Sequence, residues 1–214
     1  MAGDRQDLEI IEVERSREIL GLGFSGAVRF GEMLAAEGEL RGLIGPRELP
    51  RLWTRHILNC AAVAPFLPEQ GAVADLGSGA GLPGVVLALM RPDLDLHLVE
   101  PMERRVEWLG AVVDELDLDN VMLHQVRAEE LHGRKAFAAV TARAVAAMQK
   151  LGRIAMPLLE PGGVLLAQKG KRGQVELEEA LPALKRLGAS TWAVHEIDLL
   201  DDGDVTRVVQ VGRR

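Results

Sequence analysis

Two rhythms of apolar residues divide the chain. Leu8, Ile11, Ile19 and Leu20 fall at helical spacing, as do Val28, Met33, Leu34 and Leu40, so each set predicts an amphipathic helix. Gly45-Pro46 punctuates the chain, and the pattern resumes at Leu49, Leu52, Trp53 and Ile57 until Pro65 and Pro68 stop it. From residue 71 short apolar runs alternate with helical ones. Strands are predicted over 72–76, 95–100 and 121–126, within 137–145, and over 162–170. Helices are predicted over 85–90, 104–118, the stretch up to Leu159, and 175–188, the last kinked or interrupted near Pro182. From Trp192 onward the chain reads as two strands joined by Asp201-Asp202-Gly203-Asp204, a hairpin signal.

Strand–helix alternation closed by an antiparallel pair predicts an α/β fold with a mainly parallel, doubly wound, Rossmann-like sheet. The expected division is a helical N-terminal extension, 1–68, packed on a core of 69–214. Ligands of such sheets sit at the carboxyl ends of the strands. The residues after each predicted strand are therefore the candidates for chemistry.

After the first strand comes DLGSGAGLPG, residues 75–84. It fits the dinucleotide fingerprint G-x-G-x-x-G and equally the acidic glycine-rich loop of S-adenosylmethionine (SAM) binders. A pyrophosphate site needs free N–H groups at the helix start and no nearby anion. Here Asp75 brings a carboxylate and Pro83 removes a donor. Both suit a sulfonium cation better, while Gly77, Gly79 and Gly81 let backbone and ligand approach closely. Glu100, at the end of the second strand, is placed to accept hydrogen bonds from ribose hydroxyls.

The acceptor is constrained by what is missing. TARA (141–144) follows the fourth strand in place of the Asn/Asp-Pro-Pro-aromatic loop of amino-group methylation, and the chain has no tyrosine. Carbon-5 methylation of pyrimidines needs a cysteine nucleophile, yet the single Cys60 lies upstream in the helical segment. What remains is an acceptor that is already nucleophilic, such as guanine N7, with small-molecule O- or N-acceptors left open. The five histidines have no ligand spacing, so no metal is expected.

Composition adds limits. A net charge of −7 argues against indiscriminate nucleic-acid binding but leaves room for a local basic patch. One cysteine fits a reducing, cytoplasmic setting. No signal peptide or membrane span is expected.

The ordered set WTRHILN (53–59), DLGSGAGLPG, LVEP (98–101), RAEEL (127–131), TARAV (141–145) and QKG (168–170) resembles the bacterial 16S ribosomal RNA guanine-N7 methyltransferase family. This family was first called glucose-inhibited division protein B and is also termed RsmG-type. The resemblance spans about residues 40–175 and departs from the usual family pattern at Gly42-Leu43-Ile44 and Asn59-Cys60. It implies a class I SAM-dependent methyltransferase fold with a helical N-terminal extension and an antiparallel C-terminal hairpin. It further implies a monomer that methylates guanine 527, in the 530 loop of 16S rRNA, within the small ribosomal subunit or its assembly intermediate.

By the same resemblance Gly77, Leu82, Glu100, Ala128, Glu129 and Arg143 line the SAM pocket, with Asp75, Gly79 and Gly81 completing the loop. Arg143 carries the catalytic assignment. Candidate RNA contacts are Arg55, His56, Arg127, Lys169, Lys171 and Arg172. The competing readings are a SAM-dependent methyltransferase acting on a small molecule or protein, a nicotinamide oxidoreductase, and a silent RNA- or ribosome-binding module.

Overall fold

In the computed structural model, residues 14–200 and 203–214 are described. Leu8, Ile11 and the Asp201-Asp202 part of the hairpin signal lie outside them. Seven strands form one sheet: β1 (Ala72–Leu76), β2 (Asp95–Val99), β3 (Val121–His124), β4 (Phe137–Arg143), β5 (Leu159–Lys169), β6 (Ala189–Ile197) and β7 (Thr206–Arg213). Their spatial order is β3-β2-β1-β4-β5-β7-β6. The first five run parallel, and β7 inserts antiparallel between β5 and β6. Strand order reverses between β1 and β4, which opens a crevice at their carboxyl ends.

The connecting helices are α2 (Gly84–Met90), α3 (Glu103–Glu115), α4 (Met148–Ala155) and α5 (Gly173–Arg186), preceded by α1 (Phe24–Glu37). α5 passes through Pro182 without a break, so of the expected kink or interruption the interruption does not occur. Pro182 is exposed, so the carbonyl that loses its partner one turn back can turn to water.

β1 and β2 are buried along almost their whole length, as expected of central parallel strands read as continuous apolar runs. α1 extends a longer helical run, Glu14–Glu37, which is long and apolar enough by length and composition to cross a membrane. That exceeds the sequence expectation. Its apolar residues Leu20, Ala27, Phe30 and Leu34 are buried against the α/β core, each large one contributing roughly 1.5–3 kcal/mol. Gly23 permits the approach, since a Cβ there would stand 2.9 Å from the Leu89 backbone. Phe30, Leu34, Ile57, Leu58, Val85, Leu98 and Trp108 form one continuous apolar cluster joining the N-terminal segment to one face of the sheet.

Candidate active site

The loop after β1 is built almost entirely from its own neighbours. Gly77, Gly79 and Gly81 take φ values of +66°, +54° and +100°, which side-chain-bearing residues rarely adopt. The N–H groups of Gly77 and Ser78 donate to the Val99 carbonyl at 2.8 and 3.3 Å. Glu100 is 2% exposed. Its Oε2 accepts from the Gly79 N–H at 3.0 Å and lies 3.5 Å from Arg105 Nη1, while Oε1 accepts from the Met102 N–H at 3.0 Å. Each oxygen retains room for a further donor.

Asp75 differs from expectation. Its carboxylate lies fully buried beneath the loop, where Oδ2 accepts from the Gly84 N–H at 3.1 Å and Oδ1 has no partner. Burial raises its pKa to about 7, opposed by Ser78, the Gly84 N–H and Arg143. A Cβ on Gly84 would come 2.7 Å from Asp75 Oδ2 and collide with Leu98. Pro83 has no N–H and the Gly84 N–H is already engaged, so the start of α2 has no cradle for pyrophosphate.

Beyond β4 and β5 the arrangement is long-range. Leu52–Leu58 form a π-helix, a rare geometry that frequently occurs at functional sites. Arg143 crosses to it from β4. Nη1 donates to the His56 carbonyl at 3.1 Å and lies 3.6 Å from Cys60 Sγ, and Nη2 contacts His56 Nδ1 at 2.5 Å. A guanidinium only donates, so Nδ1 is the acceptor and the imidazole proton sits on Nε2, facing Glu48 Oε2 at 2.8 Å. Burial lowers the His56 pKa, Glu48 raises it, and Arg143 adds to the lowering. Burial pushes the Cys60 thiol up to about 11, so it is protonated and unreactive at neutral pH.

Gln168, the neighbour of Arg143 in the β4–β5 register, donates from Nε2 to the Asn59 carbonyl at 2.5 Å. Between these groups and the start of β7 lies a cleft of about 580 Å³. Its walls include Arg55, Asn59, Arg143, Gln168, Lys169, Lys171, Thr206 and Arg207, with Glu176 and Asp204 as the acidic members.

The structure sorts the candidate RNA residues. Arg55 and Lys171 are exposed in the cleft. His56 is half-buried with both ring nitrogens engaged. Lys169 donates to the Ala146 carbonyl at 2.5 Å and to Glu176 at 3.0 Å. Arg172 is exposed and 3.9 Å from Glu179. Arg127 stands after β3, at the far end of the strand order from the cleft, just before the turn carrying Ala128 and Glu129. Leu82 is buried in the glycine loop. Among the described residues no group of histidine, cysteine and carboxylates suits a metal.

Sequence reasoning missed Glu48, Asn59, Gln168 and Arg207 as site residues. Asn59 and Gln168 sit inside quoted motifs; Glu48 and Arg207 carry no periodic or motif signal.

A family model described as rRNA small subunit methyltransferase G matches residues 25–199. A Beutenbergia cavernae protein named Ribosomal RNA small subunit methyltransferase G is 67% identical over 205 residues, covering 96% of this chain and 97% of that protein. A Thermobifida fusca protein of the same name is 52% identical over 177 residues, 83% of this chain and 75% of that protein. Among solved structures, Aeropyrum pernix fibrillarin with natively bound S-adenosyl-L-methionine aligns with a TM-score of 0.53 at 18% identity, covering 70% of this chain and 73% of that one. TrmN from Thermus thermophilus gives 0.55 at 18% identity, covering 77% and 52%. The fold is that of the class I SAM-dependent methyltransferases, as expected from the sequence.

Proposed function

The chain belongs to the rRNA small subunit methyltransferase G family, and on that premise we propose that it transfers a methyl group from SAM to N7 of a guanine in 16S rRNA, guanine 527 of the 530 loop. The observation that carries this reading is the junction at the end of β4. There Arg143 lies between the glycine loop with Glu100 on one side and a cleft rich in basic side chains on the other.

The residues present fit SAM. Glu100, with room for a further donor on each oxygen, suits a ribose, and the start of α2 offers nothing to a phosphate, whereas Asp75 lies beneath the loop and braces it. Gly77, Gly79, Gly81 and Leu82 would hold the methionine portion, Glu100 the ribose hydroxyls, and Ala128 with Glu129 the adenine. When bound, SAM supplies an electrophilic methyl group on a sulfonium.

Guanine N7 has a free lone pair at neutral pH, so the chain needs no general base for the transfer. Its contribution is placement, which in well-oriented systems is worth up to roughly 7–11 kcal/mol. Arg143, fixed through His56 and Glu48, presents a donor of defined direction at the reacting edge. Arg55, Lys171 and Arg207 line the cleft where RNA phosphates would be positioned. The substrate is the small subunit or its assembly intermediate, and the enzyme acts as a cytoplasmic monomer.

The test uses small subunits from cells lacking the gene, incubated with this protein and methyl-labelled SAM. Mass spectrometry of the 16S rRNA is expected to find one added 7-methylguanine, in the 530 loop. Label in another base, or none, would overturn the reading. Calorimetry with SAM and with NAD is a second check; binding of NAD alone would exclude a methyltransferase.

A further inference from the structure

Among the described residues, four buried side-chain polar atoms have no hydrogen-bond partner: Asp75 Oδ1, Arg105 Nε, Thr141 Oγ1 and Gln168 Oε1. Asp75 and Thr141 are register neighbours on β1 and β4, so their two atoms lie in one patch beneath the loop. Arg105 belongs to the Glu100 cluster. Gln168 stands apart, because it alone of the four lines the cleft.

Its orientation is set by chemistry. The Asn59 carbonyl can only accept, so it selects the amide nitrogen of Gln168 and leaves Oε1 as an acceptor without a donor. Most of the other charged side chains in the cleft are donors, with Asp204 and Glu176 the exceptions. Arg55, Lys171 and Arg207 donate, and the Glu176 carboxylate is engaged by Lys169 and the Met148 N–H. A residue only 7% exposed that keeps an unused acceptor beside such a cleft calls for a donor from the substrate. The cleft wall next to it includes Ala144, held at φ +56°, an uncommon conformation for a residue with a Cβ. Gln168 Oε1 is itself closed off from solvent, so a base reaches it only if this wall gives way.

Guanine differs from adenine in having donors, N1–H and the 2-amino group, where adenine has the N1 lone pair. We propose that Gln168 is the base-reading residue of this site: its Oε1 accepts from the N1–H and 2-amino edge of the acceptor guanine. This rests on the cleft receiving a guanine, as argued above. Adenine would leave Oε1 unpaired and opposite a lone pair.

The experiment compares subunits assembled from 16S transcripts carrying guanine or inosine at the methylated position. Inosine keeps N7, O6 and N1–H and lacks only the 2-amino group. Wild-type kcat/KM is expected to favour guanine by roughly 10- to 100-fold. Gln168→Met keeps the length of the side chain and removes the acceptor. It should lose that preference, falling on guanine to the wild-type inosine level or below it, since the N1–H contact and the donor to Asn59 go as well, while binding SAM as wild type does. Gln168→Glu retains an acceptor and should keep a preference for guanine.

Equal use of both bases by wild type, or an undiminished preference in Gln168→Met, would overturn the assignment. If Gln168→Met fails to fold, the wild-type comparison and Gln168→Glu still decide it. Failure of the underlying reading looks different: wild type would then methylate no guanine in either subunit, and the assignment would fall with it.

Discussion

The two halves of the site are held together in different ways. On the glycine-loop side the hydrogen bonds close over short stretches: Gly84 to Asp75 across 9 residues, Met102 to Glu100 across 2, Gly79 to Glu100 across 21. On the cleft side they join distant chain segments: Arg143 to His56 across 87 residues and Gln168 to Asn59 across 109. The first half draws its hydrogen bonds from neighbouring stretches of the chain, residues 75–105. The second exists only when the N-terminal segment is seated on the sheet. Cofactor binding and acceptor placement should therefore respond differently to substitution.

The largest expected effect probes the long-range half. Arg143→Ala should lower methyl transfer by roughly 10²- to 10³-fold, the scale of losing a positioned donor. It leaves His56 Nδ1 and the His56 carbonyl without their partner, so stability should fall by about 1–3 kcal/mol while the sheet remains folded. Steady-state kinetics with urea unfolding would measure both, and wild-type turnover in this variant would remove Arg143 from the site.

Asp75→Asn sharpens the local half. The folded carboxyl titrates near 7 against 3.8 for the free group, so the folded state binds its proton more tightly. Its contribution is full below about pH 4 and is lost as pH rises through 7. The asparagine variant should flatten that slope and gain roughly 2–4 kcal/mol over wild type at pH 8. Urea midpoints from pH 5 to 8 provide the check. Parallel curves for the two proteins would mean that Asp75 is ionised without penalty.

A smaller effect comes from His56, whose pKa is lowered from 6.5. Neutral above that value, it accepts from Arg143; as pH falls below it, protonation places an N–H against the guanidinium. The folded state binds fewer protons here, so stability and kcat/KM should both decline on the acid side. SAM affinity, set in the other half, should hold over the same range if the two halves are independent. The smallest effect is electrostatic. Lys171→Ala should weaken binding to small subunits and reduce the salt slope by about 1, whereas Arg127→Ala at the opposite sheet edge should change neither.

This division also governs what the sequence disclosed. β1 was read at its observed bounds because a central parallel strand is apolar on both faces, a signal that needs no partner. The loop and Glu100 were legible because glycines with positive φ and an acid ending a strand are local requirements. The direction of Asp75 was not, since a carboxylate in a turn can face a ligand or brace the turn, and only the Gly84 N–H decides between them. Residues 52–58 read as ordinary helix, because a π-helix keeps the same apolar residues and changes only the hydrogen-bond ladder. Glu48, Asn59, Gln168 and Arg207 acquire meaning only through contacts across the fold.

The placement of β7 between β5 and β6 bears on how the molecule comes into being. β6 is made before β7, yet among the described residues its neighbour in the sheet is β7. During synthesis β6 therefore gains its place in the sheet only once β7 has been made and can pair with β5. Thr206 and Arg207, which close the cleft, arrive with that strand. The glycine loop and the other positions proposed for SAM, within residues 75–143, all precede that strand, so capacity for the methyl donor should emerge in the nascent chain before capacity for the acceptor.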